Sequence, residues 1–101
     1  MTKKRPRTER RIEERAARQL VRDREKLAAL SPGGARERPI VVESSSVIEV
    51  RARAMPCPQC AGELRVGEHR AETGLRVVQV TCTRCHAGRE LWFRLAITEP
   101  N

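Results

Sequence analysis

Aromatic residues are nearly absent. Trp92 and Phe93 are the only two in a chain of 101 residues, and there is no tyrosine. A chain this short, with 34% of its residues charged, cannot enclose a large apolar core. That excludes a two-domain enzyme and a free-standing nucleotide-binding α/β fold. Long apolar runs are missing too. No stretch of about 18 apolar residues is available for a membrane span. No apolar segment of about 7–15 residues follows the positive start Met1–Arg7, so a secretory signal is not expected. An acid-poor transit peptide is a poor match, because Glu9, Glu13 and Glu14 interrupt it. A cytoplasmic, reducing setting is therefore expected, without membrane or small-molecule partners. In that setting paired cysteines point to metal or redox chemistry before structural disulfides.

Lysine is scarce: 3 residues against 18 arginines. Arginine suits phosphate recognition through its planar fork, although a GC-rich coding sequence produces the same excess. The net charge of +8 is unevenly spread. Residues 1–30 hold eleven Lys/Arg against five Asp/Glu, and residues 31–101 hold ten against eight. The basic character belongs to the N-terminal segment.

Residues 1–7 read as a disordered basic tip. Residues 8–30 read as a charged helix: Thr8 suits an N-cap, and Glu9–Leu30 contains neither Gly nor Pro. Ile12, Ala16, Leu20, Leu27 and Leu30 fall on roughly one face, broken by Asp23 and Arg24. Ser31-Pro32-Gly33-Gly34 stops the helix. Residues 31–46 read as a linker with a short β-prone run at Ile40–Glu43. Val47–Arg53 alternates Ile48, Val50 and Ala52 with Glu49, Arg51 and Arg53, which predicts a half-exposed strand. Further strands are expected at Glu63–Arg70, Leu75–Thr81 and Arg89–Ile97. Residues 98–101 form a tail.

Four cysteines carry the chemistry. Cys57-x-x-Cys60 and Cys82-x-x-Cys85 are separated by 21 residues, enough for two strands and a tight turn. Each pair sets two sulfurs on one side of an ion, and two facing pairs complete a tetrahedron for Zn²⁺. The exits Ala61-Gly62 and Ala87-Gly88 carry glycine, which supplies a positive φ where such a turn needs one. Iron accepts the same four thiolates. Cys82-Thr-Arg-Cys85-His86 also matches a haem-attachment pattern, but that leaves Cys57 and Cys60 unexplained. A thioredoxin-like pair needs one CxxC in a βαβ setting, not two on hairpins.

The pattern C-P-x-C-x-G at 57–62 and C-x-x-C at 82–85 resembles the zinc-ribbon class, over about residues 47–97. The resemblance implies a small metal-stapled β domain: an antiparallel zinc ribbon of three to four strands, preceded by an N-terminal α-helix. It implies Cys57, Cys60, Cys82 and Cys85 as ligands of one structural Zn²⁺, and an association with transcription or translation. The commonest form of the class places Gly directly after the second Cys of each pair. Here Gly62 and Gly88 come two and three residues after it.

No nucleophile, general base or open metal position is suggested, so no enzyme is expected beyond a residual redox role. Two functions remain. In one, Lys3, Lys4, Arg5, Arg7, Arg10 and Arg11 bind DNA or RNA phosphates, with Trp92 as a base-stacking platform. In the other, helix 8–30 docks its apolar face on a protein partner or a second copy.

Overall fold

The computed structural model describes residues 7–96. Helix α1 spans Arg7–Leu30, and not one of its side chains is buried. Its last turn is closed by Ser31, whose N–H donates to the Ala28 carbonyl at 3.1 Å and whose hydroxyl donates to the Leu27 carbonyl at 2.8 Å. The chain then reverses at Gly33, where φ is +82° and an added Cβ would stand 2.7 Å from Ile40 Cδ1. Only glycine fits that turn. The Gly33 carbonyl accepts the N–H of Trp92 at 2.8 Å, so the segment following α1 lies against the sheet.

The sheet has four strands: β1 Ile40–Val42, β2 Leu64–Glu72, β3 Leu75–Cys82 and β4 Gly88–Leu95. Their order across the sheet is β1-β4-β3-β2. The last three form an antiparallel meander, with Leu64 opposite Cys82 and Val80 opposite Arg89. β2 runs past its expected end at Arg70: the paired strands reach Glu72 and Leu75, leaving Thr73 and Gly74 as the turn, with Gly74 at φ +70°. The fourth expected strand reaches its end early. It stops at Leu95, and Ile97 lies outside the described residues.

Two expectations are corrected. The sheet is mixed, not antiparallel throughout, because β1 joins it parallel to β4, with Ile40 opposite Phe93. Val47–Arg53 is not a strand either. Ser45–Val47 is a single 3₁₀ turn, and Ile48–Ala54 is a helix, α2. The ambiguity lies in the spacing. Ile48 and Ala52 share a face at both the strand period and the helix period. Val50 decides between them, since a strand would turn it inward with the other two. It is 60% exposed, while Ile48 and Ala52 are fully buried. Ala, Arg and Glu favour a helix here. Glu49 stands in its first turn and Arg51 and Arg53 in its last, which suits the helix dipole.

This helix explains the topology. β1 and β2 occupy opposite edges of the sheet, and α2 carries the chain across one face between them. Beneath it lie Val78, Val80, Leu64, Leu91 and Phe93, which with Ile40, Val42, Ile48 and Ala52 form the core. Cys57 and Cys82 belong to the same cluster. The core therefore runs directly into the cysteine site.

Candidate metal centre

The four cysteines come together at one end of the sheet. Cys57 and Cys60 sit on the turn entering β2, and Cys82 and Cys85 on the turn joining β3 to β4. Cys57 and Cys82 are buried, Cys60 is half-buried and Cys85 is exposed. Their sulfurs all lie within 4.8 Å of one another. Cys57 Sγ is 3.7 Å from Cys85 Sγ, and Cys60 Sγ is 3.4 Å from Cys82 Sγ. A disulfide needs about 2.05 Å. Four sulfurs at 2.3 Å from a tetrahedral ion would be separated by about 3.8 Å. The spacing thus fits a shared ion and not a pair of disulfides. Among the described residues this is the one cluster with metal-binding geometry, and His86 and His69, both exposed, stand outside it.

The two turns repeat each other at an offset of 25 residues. In each, the first Cys N–H donates to the carbonyl five residues on: Cys57 to Gly62 at 2.9 Å and Cys82 to Ala87 at 2.9 Å. The residue after the second Cys donates back to the first Cys carbonyl: Ala61 to Cys57 at 2.7 Å and His86 to Cys82 at 3.0 Å. The residue two after the first Cys points its N–H at that sulfur: Gln59 to Cys57 Sγ at 3.4 Å and Arg84 to Cys82 Sγ at 3.3 Å. Such N–H groups stabilise thiolate charge. The turns are also joined, since the Thr83 N–H and hydroxyl both donate to the Glu63 carbonyl, at 2.9 and 3.1 Å.

The exit glycines do not have the expected role. The left-handed residues are Ala61 at φ +63° and His86 at φ +64°. These positions directly follow the second Cys, where the resemblance placed glycine. Gly62 serves for closeness instead. A Cβ there would stand 2.9 Å from Cys82 Sγ and 3.1 Å from Cys60 Sγ, so a side chain would intrude on the cradle of sulfurs. Left-handed backbone costs an L-residue roughly 1–2 kcal/mol, against about 0.5–1 kcal/mol for glycine's extra unfolded-state freedom. Ala61→Gly and His86→Gly are each expected to stabilise the metal-loaded protein by about 0.5–1 kcal/mol. Denaturant midpoints at unchanged slope check this; a lower midpoint in both variants contradicts it.

The thiols are electrostatically unlike. The N–H of Cys85, followed by that of Arg84 and the neighbouring thiols, brings Cys82 down to about 6 against the opposing effect of burial. At Cys85 the Ala87 N–H favours the thiolate, but burial and the other three cysteines prevail and push it up to about 11. Four negative sulfurs cannot share this space without a counter-charge. A divalent cation would supply it, and its binding would displace protons and weaken in acid. Arg89 adds a fixed positive charge close to Cys57.

The remaining expected site residues are scattered. Arg7, Arg10 and Arg11 lie exposed on the first turns of α1, and Lys3, Lys4 and Arg5 lie outside the described residues. Trp92 is half-buried on β4, with the Arg36 guanidinium 5.9 Å from its ring centroid. Two features were not anticipated from the sequence. One is a set of contacts from Val21, Arg24 and Glu25 of α1 to Gln59 and Arg89. The other is a basic stripe along α1. Arg7, Arg11, Arg15, Arg18, Arg22 and Lys26 recur every three or four residues. They fall within about 100° of the helix circumference and extend about 28 Å along it. The signal was present in the like-charged pairs Arg11–Arg15 and Arg18–Arg22, each four residues apart.

Comparison with known proteins places nothing beside this chain: no family, no curated protein and no solved structure matches it. Among the described residues, no helix is long and apolar enough to cross a membrane.

Proposed function

We propose that this is a non-catalytic nucleic-acid-binding protein in which one structural Zn²⁺, held by Cys57, Cys60, Cys82 and Cys85, stabilises a ribbon-like β domain carrying α1 as its binding element. The observation that carries the binding assignment is the basic stripe. Glu25 is the one acidic residue that falls on it, and it is taken up by Arg89 and Gln59, while among the described residues no ion pair or hydrogen bond is found for Arg7, Arg11, Arg15, Arg18 or Lys26. Six like charges held in a row, against the cost of their repulsion, are neutralised by a polyanion of matching pitch. Four thiolates accept zinc or iron alike, and zinc is the metal this reading takes. Four thiolates fill a tetrahedron and leave no position for water, which supports a structural ion over a catalytic one.

The test is a salt titration with labelled duplex and single-stranded oligonucleotides. With about six phosphates neutralised, log affinity should fall against log salt with a slope near −5 on duplex DNA. Removing residues 1–6 measures the share of Lys3, Lys4 and Arg5. A chain that binds neither oligonucleotide at low salt defeats this reading.

A second reading is supported by one further observation. Ile12, Leu20, Leu27 and Leu30 are between 48% and 65% exposed on α1, beside the basic stripe. Under that reading α1 docks on a protein or a second copy, which a concentration-dependent molar mass in light scattering tests.

A further inference from the structure

Helix α1 is held to the body of the protein without burying a side chain. Its hold is polar and is concentrated on one residue, Gln59, which lies inside the first cysteine pair. The Gln59 side-chain amide donates to the Val21 carbonyl at 3.0 Å and to Glu25 Oε2 at 2.6 Å. The Gln59 carbonyl accepts Arg24 Nη1 at 2.7 Å. Glu25 is in turn gripped by both terminal nitrogens of Arg89, at 3.0 and 2.8 Å. Arg89 stands on β4 with its side chain only 10% exposed, beside Cys57. Three elements therefore meet at one point: the helix, the sheet and the metal-binding turn.

We propose that the metal centre is the latch that fixes α1, so that the direction in which the basic stripe is presented depends on metal occupancy through Gln59, Glu25 and Arg89. The physical link is the closed form of the Cys57–Cys60 turn. Gln59 separates the two ligands, and its N–H is directed at Cys57 Sγ. Its side chain reaches Val21 and Glu25 only while that turn is wound. Metal coordination winds it, because the site does not exist in the unfolded chain. With the ion gone, nothing joins the four sulfurs, so the turn is free to open and to withdraw Gln59 from α1.

The latch is releasable. An exposed ion pair or hydrogen bond contributes little by itself, but a bidentate arginine sharing one carboxylate with an amide is geometrically demanding. The second attachment of α1, through Ser31 and Gly33, is a chain connection that does not set the direction of the helix beyond its last turns. The inference rests on the metal-centre part of the proposed function. It is independent of what the stripe binds.

The experiment is ¹⁵N relaxation on the metal-loaded full chain and on the Glu25→Ala/Gln59→Ala double variant. In the parent protein the amides of residues 21–30 should share the rotational correlation time of β2–β4. In the double variant, metal content and the sheet resonances should stay unchanged, while the correlation time of α1 drops clearly below that of the sheet. In chelated parent protein the α1 amides should likewise report a helix or chain moving independently. An α1 that tumbles with the sheet in the double variant overturns the proposal, as does one already independent in the metal-loaded parent. Duplex added to both metal-loaded proteins separates the two ideas. Binding absent from both defeats the nucleic-acid reading and leaves the relaxation result to decide the latch.

Discussion

Cys60→Ser is expected to unfold the sheet and abolish stoichiometric metal binding, with loss of both near-ultraviolet circular dichroism and cooperative melting. The size of the effect follows from how little else holds the domain. Its largest fully buried side chains are one phenylalanine, one isoleucine, three valines and Cys82 itself. Native domains retain only about 5–15 kcal/mol in total. A structural tetrathiolate zinc contributes an apparent 10–16 kcal/mol, on the order of the whole margin. Serine offers no thiolate, so three ligands remain and the two turns lose their common ion. Because Cys57 and Cys82 belong to the core, the damage is not confined to the surface. A serine variant that keeps its sheet and melts cooperatively would mean that the core is self-sufficient.

Neutralising the stripe should have the second largest effect. Arg11→Gln, Arg15→Gln, Arg18→Gln and Arg22→Gln together remove four of its six cations. The salt slope on duplex DNA should fall from near −5 to near −2, and affinity at 0.1 M salt by about a thousandfold. Folding should be unaffected, since these residues are exposed and glutamine is a good helix former. A variant in which Arg10, Arg38, Arg51 and Arg53 are changed instead carries the same net charge off the stripe and should retain most of the affinity. Equal losses in the two variants would show that overall charge, and not the stripe, does the binding.

The metal site was the most legible feature of the sequence, because ligand spacing is a local property. Two CxxC pairs 21 residues apart leave few arrangements other than facing turns at one end of a hairpin, and the sulfurs converge as that spacing demands. The β2–β3–β4 meander was legible for the same reason, through the β-prone runs at Glu63–Arg70, Leu75–Thr81 and Arg89–Ile97. What was not legible depends on tertiary contact. Ile48 and Ala52 fit either a strand or a helix, and only the sheet face beneath them selects the helix. Ile40–Val42 is β-prone in sequence, but nothing local places it parallel to β4. The positive φ at Ala61 and His86 was hidden because neither residue advertises it. Gly62 drew attention for its backbone freedom, whereas its importance lies in the space it leaves for two sulfurs. The bonds from Gln59 to α1 span 34 and 38 residues, beyond any sequence periodicity.

X-ray absorption at the metal edge of the purified protein decides whether all four sulfurs bind one ion. One zinc per chain is expected, with a first shell of four sulfur atoms at about 2.3 Å and no lighter scatterer. A first shell containing nitrogen or oxygen, or a folded protein carrying no metal at all, would contradict it.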